Sequence, residues 1–136
     1  EVSSFPSEDQ SDAALLWDRV GHWAQVDDNW EQAEVAYRKA FDFEPDRYGY
    51  CLGTALNFLN RCEESLPMLL EQARVHQPDA MSSFQVAVAQ EGTGDIEGCI
   101  ESYHRTLELD PDYAVARFNL GGVFWNHEDK PEAIIA

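Results

Sequence analysis

A proline–aspartate pair recurs along this chain at a constant interval. The pairs are Pro45-Asp46, Pro78-Asp79 and Pro111-Asp112, each 33 residues from the next. An amphipathic run ends at each pair, because proline breaks a helix, and the aspartate can cap the helix that follows. Recurrence at this interval indicates a helical repeat array, in which stacked units bury a continuous core between them. The sequence therefore predicts an all-α chain of antiparallel helix pairs.

Two helices are predicted before Pro45, one from Asp12 to about Val26 and one from about Trp30 to Phe43. The inner face of the first comprises Leu15, Leu16, Val20 and Trp23. The inner stripe of the second comprises Ala33, Ala36, Tyr37, Ala40 and Phe41. Glu34 and Arg38 lie four residues apart and predict an ion pair on the outer side of the second helix.

This first helix pair resembles the tetratricopeptide repeat. The matching pattern is Trp17-x-x-Val20-Gly21-x-x-Ala24, then Ala33-x-x-x-Tyr37-x-x-Ala40, then Pro45. It departs from the family at Ala24, where an aromatic residue is usual. Gly21 is small where the two helices cross closely, and Tyr37 fills the space beside such a crossing. The resemblance extends over about residues 13–136 and implies an α-solenoid whose helix pairs form a right-handed superhelix.

The resemblance also sets the predicted domain organisation. Residues 1–11 are polar and predict an N-terminal tail, and residues 12–136 form the repeat domain. The repeats span about 14–45, 46–79, 80–113 and a truncated 114–136. The second repeat is irregular, because its connection after Pro45 is about two residues short and Pro67 falls in the first turn of its second helix.

The charge of the chain restricts its partners. It carries 9 Lys and Arg against 26 Asp and Glu, a net charge of −17. Such a surface repels nucleic-acid phosphates and anionic membranes. It suits a basic partner, or it is simply a solvated acidic surface that gives high solubility, which the charge alone favours. No apolar run approaches the roughly 18 residues that a membrane helix needs. Neither nucleic-acid binding nor membrane insertion is predicted.

No catalytic or metal-binding motif is present. The cysteines are odd in number and have no Cys-x-x-Cys spacing, so they indicate neither a disulfide framework nor a zinc site: Cys51, Cys62 and Cys99. Cys99 is predicted to be a free, buried thiol. The four histidines are scattered, and no His-Glu-x-x-His run, Gly-x-Ser-x-Gly motif or Walker lysine occurs. His22 follows Asp18 by four residues, which predicts an ordinary surface pair rather than an acid–base site. We predict no enzymatic activity, no cofactor and no metal.

In this family the first helix of each repeat lines a concave groove that binds a peptide or helix of a partner. The resemblance places these residues in the groove: Asp18, His22, Tyr50, Thr54, Asn57, Phe84, Val88, Glu91, Phe118 and Trp125. No lysine is among them, so the carboxylate clamp of some family members is not supported. Tyr50, Phe84 and Phe118 are 34 residues apart and would form an aromatic ladder, either exposed in the groove or buried between helices.

The sequence thus predicts a non-catalytic scaffold whose partner is a protein or peptide with apolar anchors and basic residues. Alternatives are a secretion-type chaperone, or a targeting or regulatory module of a larger enzyme such as a glycosyl- or sulfotransferase. The C-terminal end would leave Leu120, Phe124, Ile134 and Ile135 partly uncovered, which predicts self-association or a longer native chain. Because the chain does not begin with Met, its localisation stays open, with the cytoplasm favoured over the periplasm.

Overall fold

The computed structural model describes residues 7–127, with side chains from residue 12 to residue 126. Seven α-helices occupy this range: α1 (Ser7–Val26), α2 (Trp30–Phe43), α3 (Pro45–Phe58), α4 (Cys62–Val75), α5 (Ala80–Thr93), α6 (Ile96–Leu109) and α7 (Ala114–His127). No strand occurs between residues 7 and 127. The predicted all-α class is confirmed. None of these helices is long and apolar enough to cross a membrane.

The chain forms two compact units, one ending at Val75 and the other beginning at His76. In the first unit α1 packs on α2, α2 on α3, and α3 on α4. In the second unit α5 packs on α6, and α6 on α7. Within each unit, each helix therefore packs on its neighbours in the chain, which is the pattern of stacked helix pairs.

The start of α1 differs from the prediction. The helix begins at Ser7 rather than at Asp12, so the prediction of a tail is wrong for residues 7–11. Residues 7–11 are polar in sequence. A polar segment can thus begin a helix as well as form a tail. Residues 1–6 lie outside the described range.

Two prolines also occupy other positions in the helices than predicted. Pro45 was predicted to stop the second helix, but it is the first residue of α3, and Glu44 alone separates α2 from α3. Its missing N–H costs nothing at a helix start, where no intrahelical partner exists. Asp46 lies inside the first turn of α3 instead of capping it. Pro67 lies inside α4, in its second turn rather than its first.

Other helix ends are set by capping side chains and by a glycine. Asp79 caps α5 as predicted: its carboxylate accepts from the Ser82 N–H, and the Ser82 hydroxyl accepts from the Asp79 N–H. Gly94 ends α5 at a φ of 90°, a left-handed conformation that glycine adopts without a steric penalty. Asp95 then caps α6 by accepting from the Gly98 N–H.

Each unit has its own apolar core. In the first unit, the buried cluster between the helices comprises Ala24, Ala33, Tyr37, Leu52, Ala55 and Leu56. In the second unit, it comprises Ala87, Cys99, Tyr103, Ala116, Leu120 and Val123. Leu120 is therefore buried rather than uncovered, and Phe124 is half-buried against this cluster. Ile134 and Ile135 lie outside the described residues, so self-association through this end stays a prediction.

The buried side of α1 is not the predicted one. Leu16, Val20 and Trp23 are 64%, 45% and 77% exposed, so their assignment to the inner face is wrong. The buried residues of α1 are small: Ala14, Gly21 and Ala24. Small residues let α2 approach closely, and the described residues place no helix over the larger side chains.

Candidate functional site

Some of the predicted groove residues in the first unit reach the surface, and one of them is buried. Asp18 and Tyr50 are half-buried and His22 is exposed, so these side chains reach the surface. Thr54 is half-buried on α3. Asn57 is buried, and its Oδ1 accepts a hydrogen bond from the Ser65 hydroxyl at 2.5 Å. Asn57 therefore joins α3 to α4 and is not a groove residue.

Asp18 and His22 lie beside a third side chain that is distant from them in the sequence. The thiol of Cys51, on α3, donates to Asp18 Oδ1 over 3.9 Å. His22 Nδ1 lies 3.4 Å from the same carboxylate oxygen and 3.0 Å from the Asp18 backbone oxygen. Burial, reinforced by the Asp18 carboxylate, raises the pKa of Cys51 to about 11. The only sequence signal was the distance of 33 residues from Asp18 to Cys51, which is one repeat interval.

In the second unit, the predicted positions of α5 are all half-buried. The Phe84 ring lies 5.9 Å from that of Tyr103 and 5.2 Å from that of Tyr113, measured between centroids. Glu91 accepts a hydrogen bond from the Tyr103 hydroxyl at 2.7 Å. Val88 is half-buried. Phe84 is therefore a half-buried packing residue, which agrees with the second of the two alternatives left open for this ring.

The α7 positions are different, because they form an exposed apolar face. Phe118 is 80% exposed and Trp125 53% exposed, and Val115 is exposed as well. Together with Gly122 these residues follow the spacing i, i+3, i+7, i+10, which places them on one side of a helix. A Cβ added at Gly122 would meet nothing within 4 Å. We call Val115, Phe118, Gly122 and Trp125 the α7 face.

The exposed residues of α1 correspond to positions that are buried in other helices. Val20-Gly21, Leu52-Gly53 and Leu120-Gly121 are equivalent pairs in the repeat pattern. Leu52 and Leu120 are buried in the cores of their units, whereas Val20 is exposed. α3 and α7 each follow a helix that packs on them, namely α2 and α6. The same position is thus covered or open according to whether a preceding helix packs on it.

The helix pairs define the chain as a protein of the tetratricopeptide-repeat fold. MamA from Desulfovibrio magneticus RS-1 is similar, with a TM-score of 0.80 at 18% identity over 98% of this chain and 72% of that one. YrrB, described as a TPR protein with an unusual peptide-binding site, has a TM-score of 0.79 at 24% identity over 94% and 67%. The first TPR domain of human RPAP3 gives 0.72 at 17% identity over 90% and 93%. No protein-family model and no curated protein sequence matches the chain.

Proposed function

We propose that this protein is a non-catalytic scaffold that binds a peptide or helix of a partner protein. The observation that carries the proposal is the α7 face, where Phe118 and Trp125 are exposed two turns apart on the same side of a helix whose opposite side is packed. Large aromatic side chains contribute most of the binding energy in many interfaces, since each buries a large area at a small cost in conformational entropy. The tetratricopeptide-repeat fold supports the proposal.

The chemistry of the partner follows from the net charge of the chain and from the shape of the α7 face. The chain carries a net charge of −17, which attracts a basic segment and repels an acidic one. Gly122 leaves a gap in the α7 face between Phe118 and Trp125 that can admit an apolar side chain. The expected ligand is therefore an amphipathic segment with an aromatic or branched aliphatic anchor and flanking Lys or Arg residues.

The test uses two synthetic amphipathic peptides with the same leucine and phenylalanine anchors. One carries lysines at its polar positions and the other carries glutamates. We expect fluorescence anisotropy to show binding of the lysine peptide only, with an affinity that falls as salt increases. Phe118→Ala and Trp125→Ala should each weaken binding at least about tenfold.

Leu109→Ala is the matched control, because Leu109 is an exposed apolar residue of α6 outside the α7 face. It should bind the lysine peptide as the unmodified protein does. Circular dichroism should show the same helicity for all three variants, since the altered side chains are exposed. Equal binding by Phe118→Ala, Trp125→Ala and Leu109→Ala would exclude the α7 face as the binding surface.

A further inference from the structure

The first unit brings together three side chains with different metal-ligand chemistry. Asp18 and His22 come from α1, and Cys51 comes from α3. One ligand atom of each lies within 4.8 Å of the other two, and no other such group occurs among the residues that the structure describes. We propose that Asp18, His22 and Cys51 bind a divalent transition-metal ion of the Zn²⁺ class. This site is independent of the α7 face and was not predicted from the sequence.

Two of the three ligand distances are close to those around such an ion, and the third, between His22 and Cys51, is at most 4.8 Å. A tetrahedral Zn²⁺ with bonds of about 2.0 Å to oxygen and nitrogen and about 2.3 Å to sulfur separates oxygen from nitrogen by about 3.3 Å, and oxygen from sulfur by about 3.5 Å. His22 Nδ1 and Asp18 Oδ1 are 3.4 Å apart. Cys51 Sγ and Asp18 Oδ1 are 3.9 Å apart. The first pair already has the separation that the ion needs, and binding through Nδ1 would replace the hydrogen bond from this nitrogen to the Asp18 backbone oxygen. The second pair closes by a small side-chain rotation.

Asp18 and His22 alone would be an ordinary surface pair, and Cys51 is what changes the chemistry. A thiolate, an imidazole and a carboxylate form a mixed sulfur, nitrogen and oxygen set that suits Zn²⁺ or Co²⁺ rather than Mg²⁺ or Ca²⁺, which prefer oxygen alone. The thiolate and the carboxylate together neutralise the charge of a divalent ion. In the described structure the thiol proton points to Asp18, and the ion would replace that proton.

The surroundings hold the ligands in place and leave an entry path. The His22 ring stands edge-on to the buried Tyr37 ring, at 5.6 Å between centroids and 89° between planes. This contact packs the imidazole against a buried side chain and restricts its rotation. The side chain of His22 is 58% exposed and that of Asp18 is 17% exposed, so the cluster opens to solvent on the histidine side. Three protein ligands leave a fourth position for water or for a group of a bound partner.

The second unit shows that the repeat fold does not itself demand these residues. Two repeat intervals after Asp18 and His22 are Phe84 and Val88, neither of which binds metals. Asn119 is the equivalent of Cys51, because each precedes a Leu-Gly pair. Asn119 donates to the Tyr103 hydroxyl there. The metal-ligand set is therefore particular to the first unit.

The test is titration of the reduced, metal-free protein with Co²⁺, in a buffer with excess Mg²⁺ to occupy exposed carboxylates. We expect one Co²⁺ per chain, with the near-ultraviolet charge-transfer band of a cobalt–thiolate bond and the visible bands of tetrahedral cobalt. Zn²⁺ should displace the cobalt and abolish both signals. Cys51→Ser should remove the charge-transfer band, and His22→Gln should raise the dissociation constant for Zn²⁺ at least about tenfold.

Two variants serve as matched controls. Cys62→Ser removes a thiol of α4, and His104→Gln removes an exposed imidazole of α6, so both should keep the cobalt spectrum. Circular dichroism checks that each variant is folded. If Cys51→Ser loses helicity, the dissociation constant of His22→Gln for Zn²⁺ tests the proposal instead. The His22 side chain is exposed, so this variant should stay folded. A protein that gives no thiolate band with Co²⁺, or a band that survives in folded Cys51→Ser, would overturn the proposal.

Discussion

The hydroxyl of Tyr103 donates a hydrogen bond to Glu91 Oε1 at 2.7 Å, which ties α6 to α5. The same bond recurs in the first unit, where the Tyr37 hydroxyl donates to Gln25 Oε1 at 2.8 Å and ties α2 to α1. In both cases the acceptor lies 12 positions before the tyrosine. Both tyrosine rings are buried, so each hydroxyl needs its partner.

The two tyrosines differ in their acceptors, which leads to the first prediction. Tyr103 donates to a carboxylate and also accepts from Asn119 Nδ2 at 3.3 Å, whereas the Gln25 acceptor of Tyr37 is neutral. Tyr103→Phe should lower the free energy of unfolding by about 1.5–3 kcal/mol, and Tyr37→Phe by about 0.5–1.5 kcal/mol. Urea titrations followed by circular dichroism compare the two. An equal loss, or a larger loss for Tyr37→Phe, would contradict this order.

The second prediction concerns two glycines. A Cβ at Gly21 would lie 2.6 Å from Cδ1 of the buried Tyr37 ring, so Gly21→Ala should cost about 1–3 kcal/mol through overpacking. Gly122→Ala is the matched control, since a Cβ there meets nothing within 4 Å. It should stabilise α7 by about 0.5–1 kcal/mol, because alanine favours the helix. Thermal midpoints that move in the same direction for both variants would show that Gly21 is not at a close contact.

The third prediction concerns Glu34. The sequence placed this residue on the outer side of the second helix, and the structure corrects that assignment. Glu34 is only 8% exposed, and its carboxylate accepts from Arg38 Nε at 2.6 Å and lies 3.7 Å from a terminal nitrogen of Arg61. Glu34→Gln should cost about 1–2 kcal/mol, because it removes a charged acceptor from two arginines. Glu71→Gln breaks an exposed pair with Arg74 and should leave the urea midpoint unchanged. Equal midpoints for the two variants would contradict this prediction.

The fourth prediction is a loss of stability at alkaline pH. Burial, with the nearby carboxylates of Glu91 and Asp95, raises the pKa of Cys99 from 9.0 to about 11. Burial and the bond to Glu91 also raise the pKa of Tyr103. Because the folded pKa exceeds the unfolded one, the stabilisation from Cys99 is complete below pH 9.0 and is lost as the pH rises through about 11.

Urea midpoints at about pH 8 and about pH 10.5 measure this loss. The decrease between them should be smaller in Cys99→Ala than in the unmodified protein, whatever the stability of the variant at neutral pH. Leu109→Ala has the same titratable groups as the unmodified protein and should show the same decrease. A decrease in Cys99→Ala as large as that in the unmodified protein would exclude the thiol as a cause.

The sequence by itself determined the helices and their pairing. The recurrence of Pro-Asp predicted where the runs break, and the 3.6-residue period predicted helices on both sides of each break. These signals are local, because capping, proline geometry and the spacing of apolar residues act within one or two turns. The close contact at Gly21 also followed from the sequence, since a small residue opposite Tyr37 belongs to the repeat pattern.

Only the tertiary structure decided which side chains are exposed. An apolar stripe spans a broad arc of a helix, so the sequence could not say which part of it faces the neighbouring helix. Phe84 and Phe118 occupy equivalent positions, yet Phe84 packs against Tyr113 whereas Phe118 is exposed. Cys51 lies 33 residues from Asp18, and only the packing of the first unit brings its thiol to the Asp18 carboxylate. Contacts between distant residues depend on helix rotation and spacing, which are settled when the helices pack together.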